Sequence, residues 1–129
     1  MPRYLTQEWL DAAQRAVEDD TTLVDATKDV HLTVQQMVTG GPYGDVSYHV
    51  VVDDGAVLVS KGEAGDATVT FIQAWDTATA IGRGELSAQG AFMTGLIRVR
   101  GDLPKLVEHG NVFGEVDDVF AELRAQTTY

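Results

Sequence analysis

Hydrophobic and polar positions change their period several times along the chain, and each period predicts an element of structure. Between Leu5 and Val17, apolar residues recur at the three- and four-residue spacing of one helical face. This pattern predicts a helix over residues 6–20. Thr6 is a candidate N-cap because its hydroxyl can accept from a free backbone N–H. We expect residues 21–25 to form a loop.

The period then falls to two, which is typical of β-strands with one apolar face. It predicts strands over residues 30–38, 46–52, 56–60 and 67–72. The glycine-rich segment after Val38 predicts that the first strand ends there. An Asp54-Gly55 pair between two apolar runs is a strong hairpin signal. The four strands are therefore expected to form an antiparallel meander.

In the second half the helical period returns, interrupted by one more strand. The pattern predicts helices over residues 74–82, 87–95, 103–107 and 116–123, and a fifth strand over residues 96–100. Ser87 and Asp102 are candidate N-caps. No repeat divides the chain, and 129 residues is an ordinary length for one domain. We expect a single α+β domain over residues 1–129.

The amino-acid composition indicates a folded globular protein. Hydrophobic residues make up 44% and charged residues 22%, which is typical of a folded globular chain. The absence of cysteine excludes disulfides and thiolate metal sites. No apolar run approaches the roughly 18 residues of a membrane span. We expect a cytoplasmic protein without a signal peptide or stable membrane insertion.

Charge is unevenly distributed. The net charge is −11, which makes nucleic-acid binding unfavourable because phosphates are repelled. Residues 83–105, however, hold four basic and two acidic residues, the bases being Arg83, Arg98, Arg100 and Lys105. This basic segment has two interpretations. It is either an anionic headgroup site or a solvated sheet edge that discourages strand pairing.

Candidate catalytic groups are few. His31 and His49 fall on neighbouring predicted strands and are candidates for a metal pair, but no third ligand is evident. The structural alternative is a pair of ordinary sheet histidines. Ser87 lies in no nucleophile elbow. We therefore predict no catalytic residues, no metal and no cofactor.

Three short motifs between Phe71 and Asp102 carry a family resemblance. Arg83-Gly84-Glu85-Leu86 ends a helix, Ala91-Phe92-Met93-Thr94-Gly95 forms a short one, and residues 97–102 (IRVRGD) begin with a strand. This order resembles the sterol carrier protein 2 (SCP2) domain family, in particular its small stand-alone bacterial members. With the leading helix and the hairpins, the likeness covers nearly the whole chain.

The resemblance implies a mixed five-stranded sheet, an antiparallel meander plus a later strand, with helices packed mainly on one face. It also implies an apolar tunnel between sheet and helices for a fatty acyl, sterol-like or polyketide-like molecule. By resemblance the tunnel walls are Phe71, Trp75, Ala78, Ile81, Leu86, Phe92, Met93, Leu106, Val112, Phe113 and Phe120.

The expected function is thus non-catalytic binding or carriage of an apolar small molecule. One alternative is a dimerisation or protein-interaction module, such as a homodimer, that uses the same apolar surface. A third is an enzyme on this scaffold that uses Tyr48, His49 or Asp76. A basic rim of Arg83 and Arg98 beside the tunnel would favour an acidic ligand.

Overall fold

The computed structural model describes residues 3–110, 112 and 122–128, except for the side chains of residues 88 and 89. The helices are α1 (Gln7–Glu18), α2 (Thr21–Ala26), α3 (Trp75–Gly82), α4 (Ala88–Met93) and α5 (Leu103–Glu108). The strands are β1 (His31–Gly41), β2 (Gly44–Asp53), β3 (Ala56–Lys61), β4 (Val69–Ala74) and β5 (Ile97–Gly101). Residues 122–125 are also helical, whereas most of the helix predicted over residues 116–123 lies outside the described residues.

The strands form one mixed sheet in the order β3-β2-β1-β4-β5. Neighbours pair antiparallel except β1 and β4, which are parallel. The predicted α+β fold with a mixed five-stranded sheet is therefore confirmed. The four-strand antiparallel meander was wrong in one respect: only β1–β3 form it, and β4 crosses over to lie beside β1.

Hydrogen bonds at the edge of β3 explain why β4 pairs with β1 and not with β3. The side-chain amide of Gln14, on α1, donates to the carbonyl of Val57 at 3.0 Å and accepts from the N–H of Val59. A strand edge bonded to a helix side chain has fewer free groups for another strand. The chain instead returns over the far face of the sheet, where the N–H of Ala64 donates to Gln35 Oε1 at 3.0 Å. We call this far face, which carries Gln35, the outer face.

Three helix N-caps lie at the residues that the sequence predicts. Thr6, Ser87 and Asp102 accept from the backbone N–H three residues on, at 3.3, 3.0 and 3.2 Å. The loop predicted over residues 21–25 was wrong, because Asp20 caps the short helix α2 through the N–H of Leu23 at 2.8 Å. Leu23 is fully buried, so the turn of helix is also held by packing.

The first strand is longer than predicted. β1 continues to Gly41, and Gly41 pairs with Gly44 after a register shift beyond Val38. The carboxylate of Asp45 accepts from the N–H of Gly40 at 3.0 Å and closes the end of the hairpin. Glycine-rich sequence therefore marks an irregular hairpin here rather than a strand end.

Buried apolar side chains pack together where α1 meets β1–β3. Trp9 is buried and contacts Tyr4 and Tyr48 edge-on, at ring-centroid distances of 5.0 and 5.5 Å. Its indole Nε1 donates to Thr127 Oγ1 at 3.1 Å. The N–H of Tyr4 also donates to the carbonyl of Thr128 at 2.9 Å. The two ends of the described chain are thus joined over this part of the core.

Candidate functional site

The inner face of the sheet, opposite the outer face, forms the floor of a cavity. Because side chains alternate along a strand, residues paired in register share a face. Val34 lies opposite Val50 of β2 and Val69 of β4, and Phe71 lies opposite Val99 of β5. The floor residues are Leu32, Val34, Gln36, Tyr48, Val50, Val52, Phe71, Gln73, Ile97 and Val99.

Helices and the chain ends form the roof. Ala78 and Ile81 lie three residues apart on one face of α3. The cavity holds about 330 Å³, at the lower end of the roughly 300–1,000 Å³ found for small-molecule pockets. Most of its lining side chains are aliphatic or aromatic. The roof residues are Tyr4, Ala78, Ile81, Phe92, Leu106, Val112 and Arg124.

A pair of glutamines interrupts the apolar floor. Gln73 Nε2 donates to Gln36 Oε1 at 3.3 Å across β1 and β4. Gln73 Oε1 is buried and accepts no hydrogen bond from the described residues. If both amides were turned over, the pair would still leave one N–H group and one carbonyl unused. The floor therefore offers a donor and an acceptor side by side.

A protein-family model matches the part of the sequence that forms this sheet and cavity. The model of the SCP-2 sterol transfer family matches residues 10–114, most of the chain. The chain belongs to the SCP-2 sterol transfer family. The matched region contains every strand of the sheet and the helices α3–α5 that roof the cavity.

Solved structures similar to this SCP-2 family member agree on the fold. The crystal structure of sterol carrier protein 2 matches with a TM-score of 0.75 and 20% identity, over 93% of this chain and 98% of that one. A conserved hypothetical protein from Thermus thermophilus matches with a TM-score of 0.74 and 19% identity, over 95% and 91%. The palmitated SCP2L2 of Aedes aegypti matches with a TM-score of 0.55 and 18% identity, over 77% and 92%. Among curated protein sequences, none matches this chain.

The tunnel walls implied by the SCP2 resemblance divide into three groups. Those that line the cavity are Phe71, Ala78, Ile81, Phe92, Leu106 and Val112. Trp75, Leu86 and Met93 are described but lie outside the cavity lining. Phe113 and Phe120 lie outside the described residues. Whether the lining residues bind a ligand stays a prediction.

Trp75 lies outside the lining because it packs on the hairpin end. A Cβ placed on Gly41 would come within 2.7 Å of Trp75 Cε3, so this glycine makes room for the ring. The ring of Tyr4 lies 5.4 Å from that of Trp75. Met93 points outward instead, with 76% of its surface exposed. Both residues are apolar and next to the cavity elements, which is why their sequence pattern did not separate them from the lining.

Sequence reasoning assigned none of the floor on β1, β2 and β5 to the tunnel walls, and it named Tyr48 only for the enzyme alternative. The alternation of Leu32, Val34 and Val50 was the available signal, but it also describes an ordinary core strand. Arg124 was missed as well, although it is the basic residue among the described lining. Arg83 and Arg98 are not among the residues that line the cavity.

The histidines are not brought together. In the ladder His31 lies opposite Asp53 and His49 lies opposite Gln35, four residues further along β1. His31 Nδ1 lies 2.8 Å from the carboxylate of Asp53 at the surface. His49 Nδ1 lies 2.9 Å from the carbonyl of Gly62 in the crossover connection. Within the described ranges, no three His, Cys, Asp or Glu residues cluster as metal ligands do.

None of the described helices combines the length and apolarity that crossing a bilayer requires. α1, with 12 residues, is the longest of the helices given above. It spans about 18 Å at 1.5 Å per residue. The hydrocarbon core of a bilayer is about 30 Å thick.

Proposed function

We propose that this protein binds and carries one apolar or amphiphilic small molecule in the cavity, without catalysing a reaction. The observation that supports this most is a largely apolar cavity of about 330 Å³ between sheet and helices in a member of the SCP-2 sterol transfer family. The ligand classes we propose are fatty acyl, sterol-like and polyketide-like molecules. The cytoplasmic location and bacterial origin expected from the sequence belong to this proposal.

Apolar burial supplies the driving force. Removing about 300 Å² of ligand surface from water is worth ~7 kcal/mol at roughly 25 cal/mol per Å². Lost translational and rotational freedom offsets part of this gain. Because burial is non-directional, such a cavity distinguishes ligands mainly by size and shape. This suits a carrier better than an enzyme, which needs groups aimed at one reacting bond.

The two glutamines of the lining fit a ligand headgroup better than a catalysed reaction. Gln36 and Gln73 carry amides, which are neither nucleophiles nor general bases. They can orient a ligand group that both donates and accepts a hydrogen bond. His49, the titratable residue closest to general-base chemistry on these strands, lies on the outer face beside the crossover connection.

Uptake of a fluorescent fatty acid tests the proposal. Ile81 and Ile72 are both partly buried isoleucines, but only Ile81 lines the cavity. Ile81→Asp places a charge in the cavity, so uptake should fall at least tenfold. Ile72→Asp places the same charge on the outer face and is the matched control.

Circular dichroism melting of both variants checks that they fold. Folded Ile81→Asp with unchanged uptake would contradict the proposed site. Native mass spectrometry of the purified protein, followed by solvent extraction, identifies any lipid that copurifies. A bare dimer that takes up no fatty acid would support the interaction-module alternative instead.

A further inference from the structure

The two edges of the sheet differ in what is bonded to them. β3 forms one edge, and Gln14 of α1 already bonds to its backbone. β5 forms the other edge and pairs with β4 alone among the described strands. Within the described ranges, no backbone hydrogen bond reaches the far side of β5. An open strand edge of this kind can pair with another extended segment.

The open stretch of β5 has defined ends. The N–H of Leu96, just before the strand, donates to the carbonyl of Ala91 at 2.8 Å. The N–H of Asp102, just after it, donates to the carbonyl of Thr68 at 2.9 Å. The strand of five residues between these bonds spans about 17 Å, at roughly 3.4 Å per residue. It is therefore long enough to pair with a short extended peptide.

Two arginines lie on the outer face at this edge. Thr70 lies opposite Gln35, which defines the outer face, and Arg100 lies opposite Thr70. Arg98 lies two residues before Arg100 and opposite Ile72, so it shares the same face. Both arginines are exposed, and neither forms an ion pair with a described residue. In a protein with a net charge of −11, this edge offers two cations that are not neutralised locally.

We propose that β5 binds an extended peptide segment with carboxylates at alternate positions, which joins the sheet as a further strand. Main-chain hydrogen bonds to β5 supply the affinity, and side-chain pairing supplies the specificity. Opposite charges on neighbouring strands stabilise the pair when they face each other. Carboxylates two residues apart therefore face Arg98 and Arg100. The side chain between them lies on the inner face beside the partly buried Val99, which favours an apolar residue.

A second copy of this protein fits the same edge poorly. Two β5 strands related by a two-fold axis pair antiparallel with their outer faces on the same side. Arg98 and Arg100 of one copy then face the arginines of the other, and like charges directly opposite each other destabilise the pair. The same two side chains thus disfavour self-association and favour an acidic strand.

Fluorescence anisotropy with a labelled peptide tests the binding. The probe is the blocked peptide TEVEVET, and TKVKVKT is its control. The wild type should bind the glutamate peptide at least roughly tenfold more tightly. Neither arginine lines the cavity, so the result does not depend on the proposed function.

Charge reversal on the protein identifies the edge that binds. Arg98→Glu with Arg100→Glu should weaken binding by more than about tenfold, because each opposite-charge pair is worth up to about fivefold and both pairs become repulsive. Arg15→Glu with Lys61→Glu changes the net charge equally at exposed positions of α1 and β3, and is the matched control. Circular dichroism melting checks that both variants fold. Equal losses of affinity in the two variants would overturn the proposal.

N-methylation of the peptide separates strand addition from simple charge attraction. Successive N–H groups of an added strand point alternately toward β5 and away from it. Methylation at the fourth residue and methylation at the fifth should therefore differ in affinity by at least roughly tenfold. Equal binding of the two methylated peptides, or no binding of TEVEVET by the wild type, would contradict strand addition.

Hydrogen exchange locates the added strand. Amide exchange in β5 should slow when TEVEVET is present, since amides on an open edge become hydrogen-bonded. Sedimentation velocity without peptide should show a monomer. A wild-type dimer in which the β5 amides are already protected would overturn the proposal in favour of a second copy at this edge.

Discussion

The two sides of the molecule bury their apolar residues very differently. Leu10 of α1, packed over β1–β3, is 2% exposed, whereas Leu96, between α4 and β5, is 50% exposed. Both are leucines beside the same sheet. We call the first side the packed side (α1 and β3) and the second the cavity side (α3–α5, β4 and β5, with the lining residues of β1 and β2).

Helix length explains much of this difference. α1 has 12 residues and presents a continuous apolar stripe that includes Trp9, Ala13 and Val17. α4 and α5 have six residues each, and neither is long enough to cover the inner face of the sheet. Alanine and glycine are frequent in α3 and α4, which leaves space beneath them.

This division separates stability from binding. The packed side supplies buried area and the Trp9–Thr127 hydrogen bond, so the fold has a stable part that needs no ligand. The cavity side contributes less stability, because the residues around an unfilled apolar space lack packing contacts on that side. A ligand in the cavity should therefore raise the melting temperature by binding the folded state alone.

Leucine truncation should show the largest difference between the two sides. Leu10→Ala removes buried methyl groups and should lower the free energy of unfolding by about 2–5 kcal/mol. Leu96→Ala, at a half-exposed position, should change it by less than about 0.5 kcal/mol. Urea denaturation of both variants measures the contrast. Similar losses of unfolding free energy in Leu10→Ala and Leu96→Ala would show that the cavity side contributes to the core as much as α1 does.

Local features of this chain could be predicted from sequence because their causes are local. A cap such as Ser87 needs only the N–H three residues on. The family motifs between Phe71 and Asp102 likewise indicated the fold and the roof residues Ala78 and Ile81. Short-range hydrogen bonds were sufficient for the cap, whereas the fold and the roof residues were implied by the family resemblance.

Non-local features could not be predicted in the same way. Nothing near Val69 in sequence indicates that its partner is Val34 rather than a residue of β3, because the occupied edge of β3 depends on Gln14. Trp75 was placed among the tunnel walls by the family resemblance, and the packing of its ring on Gly41 is a contact between residues distant in the sequence. The pairing of β4 with β1 and the position of the Trp75 ring thus both depend on contacts between residues distant in the sequence.

Enlarging an alanine should have opposite effects on the two sides. Ala13 is fully buried in α1, so Ala13→Leu overpacks the core and should cost about 1–3 kcal/mol of stability. Ala78 lines the cavity, so Ala78→Leu should fill space and leave stability unchanged or raise it by about 0.5–2 kcal/mol.

Ligand affinity provides the second readout of this pair. Ala78→Leu should weaken fatty-acid binding by roughly tenfold or more, since each displaced methylene is worth ~0.8 kcal/mol. Fluorescence titration and thermal melting on the same samples give both quantities. If Ala78→Leu destabilised the fold as much as Ala13→Leu, the space beneath α3 would not be available to a ligand.

The smallest expected effects concern the glutamine pair on the cavity floor. Gln36→Leu removes the acceptor of Gln73 Nε2 and should cost about 1 kcal/mol, because the remaining amide is left without its partner. Gln73→Leu removes the buried carbonyl that has no donor among the described residues, but it also removes the N–H group from which Gln36 Oε1 accepts. These two effects offset each other, so stability should change by less than about 0.5 kcal/mol. Replacing both should also be near neutral. The double-mutant cycle by urea denaturation gives the coupling energy.

The preference for an alcohol over an alkane tests whether the glutamine pair orients a ligand or only stabilises the fold. An apolar floor would bind a long-chain alcohol and the alkane of equal length with affinities set by area alone. If the amides orient a hydroxyl, the wild type should prefer the alcohol and the double leucine variant should lose that preference while keeping its affinity for the alkane. An unchanged preference would mean that the pair only links β1 to β4. The cavity side would then distinguish ligands by shape, and its glutamine pair would belong with the packed side as a structural feature.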